Sequence, residues 1–163
     1  MPKRLETETL MFRKNRQPPV DAGRLEELER RMDAIGRSQA VIEFDLGGTI
    51  IDANENLLKT MGYSLDEIRG QHHRMFMDPA EAATPEYAAF WRELNDGRFV
   101  AKKFRRMAKG QREVWLEASY NPVLDANGRP FKVVKLAIDI TDAELATRRA
   151  EAERKAAEAT QAA

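Results

Sequence analysis

The two histidines of the chain are adjacent: His72 and His73 follow Gly70-Gln71 at the start of a short helical segment. A neutral imidazole can ligate a haem iron with a distal donor opposite or hydrogen-bond a flavin, and a merely solvated surface pair is the plain alternative. Neighbouring helical residues point about 100° apart, so at most one of the two faces an interior site. Haem would use His72 or His73. No other metal site is expected, because two histidines without a cysteine do not make a zinc centre. Ser119 and Asn121 are further polar candidates. Strand alternation puts Val114, Leu116, Ala118 and Tyr120 on one side, with Trp115, Glu117, Ser119 and Asn121 on the other. The polar pair therefore either lines a ligand cavity or lies on an outer surface beneath a flanking helix. Trp91 and Trp115 each bring a large apolar area and an N–H that needs a partner. No nucleophile stands paired with a base, so catalysis is not expected.

Charge narrows the partners. Lys+Arg and Asp+Glu both number 27 in 163 residues, giving a net charge of zero and no global field toward nucleic acid or a membrane. The densest basic run, Lys102-Lys-Phe-Arg-Arg106, has acidic neighbours and reads as an exposed strand that charge keeps from edge pairing. Cysteine is absent, which removes disulfides and thiolate metal sites and suits a reducing cytoplasm. No apolar run approaches the roughly 20 residues of a membrane helix, and the N-terminus lacks the apolar core of a signal peptide. A cytoplasmic protein is expected.

Residues 1–20 are polar and end in Gln17-Pro18-Pro19, the composition of a flexible leader. Over 21–37, Leu25, Leu28, Met32 and Ile35 make one narrow helical stripe flanked by charges, with Gly36 closing the helix. Such a stripe suits a partner helix, hence a homodimer through flanking helices, or the side of the following domain. Two apolar runs, Val41–Leu46 and Thr49–Asp52, are joined by Gly47-Gly48, a two-residue turn signal. Short helices follow. Ser64 with Glu67 forms a capping box, Asp78-Pro79 with Glu81 marks a start, and Thr84-Pro85 starts a helix carrying Tyr87, Phe90, Trp91 and Leu94 on one face. Strand signals return over 99–107, 113–124 and 131–140. Two strands, several short helices and three strands make an α+β fold, a five-stranded antiparallel sheet with helices on one face. Thr141 to Glu144 reads as a capping box that starts a C-terminal helix over 142–163, whose Leu145, Ala152, Ala156, Ala159 and Ala163 form a weak seam broken by Arg149. Its Ala-rich end, without a cap, leaves room for a longer natural chain with a downstream signalling domain.

Several blocks then occur in one order. They are Ala40-Val-Ile-Glu-Phe-Asp-Leu-Gly-Gly-Thr-Ile-Ile-Asp-Ala-Asn54, Met61-Gly-Tyr-Ser-Leu-Asp-Glu-Ile-Arg-Gly70, Glu113-Val-Trp-Leu-Glu-Ala-Ser-Tyr-Asn-Pro122 and Val133-Val-Lys-Leu-Ala-Ile-Asp-Ile-Thr-Asp142. Together they resemble a PAS domain, placed over 38–141. Asp45-Leu-Gly-Gly-Thr49 is also similar to phosphate-handling loops of haloacid-dehalogenase phosphatases and sugar kinases. The former need a second Asp where Gly47 stands and the latter a much longer chain, so the segment reads as a turn. Gly70-Gln-His-His-Arg-Met75, Phe90-Trp91 and Arg112–Pro122 further resemble the N-terminal PAS sensor of soluble bacterial chemoreceptors and the flavin-binding PAS domain of the aerotaxis receptor. That resemblance implies a sensory or signal-relay input domain for redox, oxygen or a small ligand. It implies FAD contacts at His73 and Trp91, matches Asn54 to a recurrent asparagine, and implies signal exit through Asp139 and Thr141. Haem is the second cofactor expectation. A ligand-free PAS that only dimerises or docks a protein partner is the alternative.

Overall fold

Along the long strands the inward-facing side chains alternate with outward ones, and most of the inward ones are apolar. On β1 (Ala40–Phe44) these are Ala40, Ile42 and Phe44; on β3 (Val100–Ala108), Phe104 and Ala108; on β4 (Arg112–Leu124), Val114, Leu116, Ala118 and Tyr120; on β5 (Pro130–Asp139), Val133 and Ala137. With β2 (Ile50–Ala53) they form one antiparallel sheet in the order β2-β1-β5-β4-β3. The computed structural model describes residues 21–161. The expected leader over 1–20 and the seam position Ala163 lie outside them.

Helices α2 (Glu55–Met61), α3 (Leu65–Ile68), α4 (Pro79–Ala82) and α5 (Pro85–Asn95) fill the stretch between β2 and β3, with a 3₁₀ turn at His73–Phe76. Leu57, Met61, Ile68, Phe76 and Leu94 from this stretch join the inward strand residues in one core. Each such side chain contributes about 1.5–3 kcal/mol by leaving water. The short helices start where the sequence predicts. The Ser64/Glu67 capping box forms in both directions, Asp78 accepts from Ala80 N, and Thr84 Oγ1 accepts from Tyr87 N.

Four local expectations are corrected. The first helix, α1 (Ala22–Ser38), does not end at Gly36 but continues two residues, its last turn closed by Gln39 N donating to Ile35 O, and the Gly36 carbonyl accepts from the side-chain amides of Asn54 and Asn56. The β1–β2 connection is not a two-residue turn. Asp45 Oδ1 accepts from Gly47 N and Thr49 N, closing a three-residue loop in which Gly48 takes φ +89°. Asp125 repeats this device between β4 and β5, accepting from Asn127 N and Arg129 N. The run Lys102–Arg106 is not exposed throughout: Arg106 shares the inward register of Phe104 and Ala108 and is buried. Finally, Thr141 and Glu144 form no capping box at the start of α6 (Thr141–Gln161). The Thr141 hydroxyl accepts from Trp115 N at 3.0 Å and donates to Asp139 Oδ1, while Glu144 pairs with Lys103 and Arg148.

The chain divides into two units, one up to Ala34 and one from Ile35 onward. In the first, Leu25, Leu28 and Met32 keep 45–49% of their area exposed, and Glu26–Arg30 and Glu27–Arg31 pair along the helix.

Candidate functional site

The His72–His73 segment is pinned by backbone bonds to the β1–β2 loop. Ile50 N donates to Gln71 O, His73 N donates to Gly48 O at 2.8 Å, and Gly70 N donates to Ile50 O. Gly48 must be glycine here, because a Cβ would lie 2.6 Å from His72 Nε2 and 3.0 Å from Trp91 Cζ2. The His72 ring is spent on the backbone. Its Nε2 donates to Gly47 O at 2.8 Å, and its Nδ1 accepts from Arg74 N at 3.0 Å. Burial holds this imidazole below its ordinary pKa.

His73 is the buried member of the pair. Its Nδ1 lies 2.8 Å from Tyr87 Oη and its Nε2 3.0 Å from Tyr120 Oη. Phe44, Phe76, Phe90 and Trp91 surround it at ring-centroid distances of 5.3–6.4 Å. Two cations complete the centre. Arg106, 5% exposed, donates from its terminal nitrogen to Tyr120 Oη at 3.2 Å and stacks over Phe104 at 4.7 Å. Lys135, 3% exposed, holds its ammonium 4.9 Å from the centroid of the Tyr120 ring. Neither makes an ion pair with a carboxylate among the described residues.

Arg106 can only donate, so the Tyr120 hydroxyl accepts from it. The neutral His73 ring donates to one of its two tyrosine hydroxyls and accepts from the other, both ring nitrogens being engaged. Burial, reinforced by the charges of Arg106 and Lys135, holds His73 well below the ordinary imidazole pKa and keeps the ring neutral. Burial alone would push the Tyr120 hydroxyl up, but the same two cations bring it below the ordinary phenol value. Burial also lowers the Lys135 ammonium and raises the Tyr87 hydroxyl. Trp91 partly offsets the rise at Tyr87 without reaching hydrogen-bond geometry, and its buried Nε1 has no partner.

Of the five nominated cofactor contacts, the fold brings two together at the buried centre. His73 and Trp91 meet edge to face, with ring centroids 5.5 Å apart. Asn54 sits elsewhere and uses all four of its hydrogen-bonding positions on backbone, with Oδ1 accepting from Val41 N and Leu57 N and Nδ2 donating to Gly36 O and Gln39 O. Ser119 and Asn121 project from β4 on the side opposite the core, where Asn121 Nδ2 donates to Ser119 Oγ and Val134 O. A flavin or haem between helices and sheet would have to part the rings of Phe44, Phe90, Trp91, Phe104 and Tyr120, which meet one another at 4.8–6.4 Å. Haem would also need a His73 nitrogen released from a tyrosine. The residues as arranged do not fit either group.

Tyr87, Arg106, Tyr120 and Lys135 were not nominated from the sequence. A signal was present for the last of these: a lysine in the apolar register Val133, Lys135, Ala137 must either break the strand pattern or go into the core.

The comparisons agree with this architecture. A family model described as the PAS fold matches residues 50–137. The biofilm dispersion protein BdlA of Pseudomonas aeruginosa is 49% identical over 116 residues, 71% of this chain and 28% of that protein. The bacterioopsin transcriptional activator of Halobacterium salinarum is 25% identical over 139 residues, 79% of this chain and 20% of its own length. The chain thus spans about a quarter and a fifth of these relatives. The crystal structure of a PAS domain from Colwellia psychrerythraea superposes with a TM-score of 0.61 at 25% identity, covering 71% of this chain and 98% of that one. A five-stranded antiparallel sheet in the order 2-1-5-4-3, helices on its inner face and a family match over more than half the chain place this protein in the PAS family.

Proposed function

We propose that this PAS domain is the sensory input of a chemoreceptor-type signalling protein working in the cytoplasm, and that a change at the His73 centre leaves along β4. The observation that carries this is the double duty of β4. Its inward Tyr120 belongs to the buried centre, and its Trp115 holds the strand-to-helix handover through both backbone groups, with N–H to Thr141 Oγ1 and C=O from Ile140 N. Arg148 of α6 also lies over the Trp115 ring at 4.1 Å. A shift of β4 by a fraction of a bond length therefore reaches α6 without any intervening element, and Asp139 and Thr141 are the exit residues. Such a shift biases two packings of α6 in a dimer. Kinship to a biofilm dispersion protein supports a signalling role.

The occupant expected from the resemblance is FAD, with haem second. The buried, unpartnered Trp91 Nε1 beside His73 is the structural feature that speaks for it, since a flavin carbonyl would supply an acceptor there, but the rings packed at that place would first have to part. The ring-filled interior favours the other reading, a ligand-free PAS that dimerises through the exposed Leu25, Leu28, Met32 stripe or docks a partner. Expression with riboflavin and haem supply decides between them. A flavin or haem band in the purified protein supports a cofactor sensor, and a featureless visible spectrum supports the ligand-free form. The sensory reading itself is tested by joining residues 1–163 to a chemoreceptor signalling domain. His73→Gln should lock its output, and unchanged output would contradict the assignment.

A further inference from the structure

Resting on the sensory reading of the same centre, we infer that the inner face of the sheet binds a small organic acid, taking its carboxylate between Arg106 and Lys135. Two cations buried to 95% or more of their area against one tyrosine, with no carboxylate paired to either among the described residues, leave the core with uncompensated positive charge. Burying an unpaired charge is strongly unfavourable, and cation–π contacts with Phe104 and Tyr120 recover part of that cost without supplying a counter-charge.

The hydrogen-bond inventory points the same way. Arg106 Nε is buried and has no acceptor, and one terminal nitrogen is engaged by the carbonyl of Arg105, the other by Tyr120 Oη. The neutral groups around the centre cannot close the deficit. His73 is engaged at both ring nitrogens, by Tyr87 and by Tyr120, and neither tyrosine carries a negative charge when protonated. What is missing is an acceptor with negative charge. A carboxylate supplies both, since it matches the fork of a guanidinium in two parallel bonds and accepts from an ammonium with its remaining lone pairs. Binding would draw on the Tyr120–Arg106 contact, which ties the ligand to β4 and hence to the exit at Trp115.

The test is a thermal-melt titration of the 163-residue protein with acetate, succinate and malate, and separately with inorganic phosphate, against sodium chloride at matched ionic strength. One of the carboxylates should raise Tm saturably by several degrees above the chloride control. The rise should vanish in Arg106→Gln and shrink in Lys135→Met, and the lysine variant keeps the test informative if the arginine variant does not fold. No shift above chloride, or an equal shift in either variant, would overturn the inference. So would a response to phosphate alone, an absorbance of ionised tyrosine near neutral pH that vanishes in Tyr120→Phe, or a flavin or haem band lost in Arg106→Gln. The chimera separates the two claims: if His73→Gln locks output while no acid binds, the ligand class fails and the sensory centre stands.

Discussion

His73 sets the pH behaviour of the fold. The buried ring stays neutral where the unfolded chain takes up a proton, so its contribution is fully present above the ordinary imidazole pKa of 6.5 and is lost as pH falls below it. Between pH 6.5 and 5 the unfolding free energy should decline with a slope approaching one proton, about 1.4 kcal/mol per pH unit, and the melting temperature should fall with it. His73→Phe should flatten that slope; an equally steep profile in the variant would assign the proton uptake elsewhere. Tyr87, Arg106, Tyr120, Lys135 and His72 all face or adjoin the ring, and Tyr120→Phe removes the hydroxyl that bonds its Nε2 and accepts from Arg106. That substitution should destabilise by about 1–3 kcal/mol in denaturant melts, the range for stranding buried donors and acceptors. Sequence reading reached His73, because a histidine pair is conspicuous. It could not reach Arg106, whose side chain runs along the inner face to meet Tyr120, fourteen positions away in the chain. Burial of a long charged side chain depends on the register of neighbouring strands, which composition does not reveal.

At the scale of elements, the sequence was most legible where one residue decides a local bond. Ser64, Asp78 and Thr84 cap the helices expected of them, since a cap needs only neighbours three residues away. Legibility failed where a distant backbone group competed for the same oxygen. Thr141 gives its hydroxyl to Trp115 N, 26 residues away, and the expected local box does not form. Thr141→Ala should strand that N–H and loosen the junction by about 1 kcal/mol, seen as faster exchange of the Trp115 amide with a nearly unchanged melting curve. Gly48→Ala is a harsher change, as the new methyl meets His72 and Trp91 in a backbone conformation that disfavours it. A loss of about 2 kcal/mol or more is expected. A stability within 0.5 kcal/mol of the parent, the ordinary range for a neutral surface change, would show that the loop rearranges.

For the whole molecule, fold class was legible, because the spacing of apolar runs and turns marked two strands, short helices and three more strands. The order β2-β1-β5-β4-β3, which sets β1 beside β5, depends on long-range pairing that this spacing does not carry. Assembly through the exposed stripe of α1 is a proposal that substitution tests. Glutamate at both Leu28 and Met32 would place charge in an apolar seam and should turn a dimer into monomer by light scattering, whereas an unaltered dimer would remove α1 from the interface. The central claim is that the buried centre and the output helix communicate through β4. The most direct measurement is native-state amide hydrogen exchange of His73→Gln beside the parent protein. The expected result is exchange about tenfold faster at the amides of Trp115, Ile140 and Glu144, which hold the handover, with the amides of β2 and α2 unaltered. Acceleration confined to the vicinity of residue 73, or equal at every core amide, would contradict it.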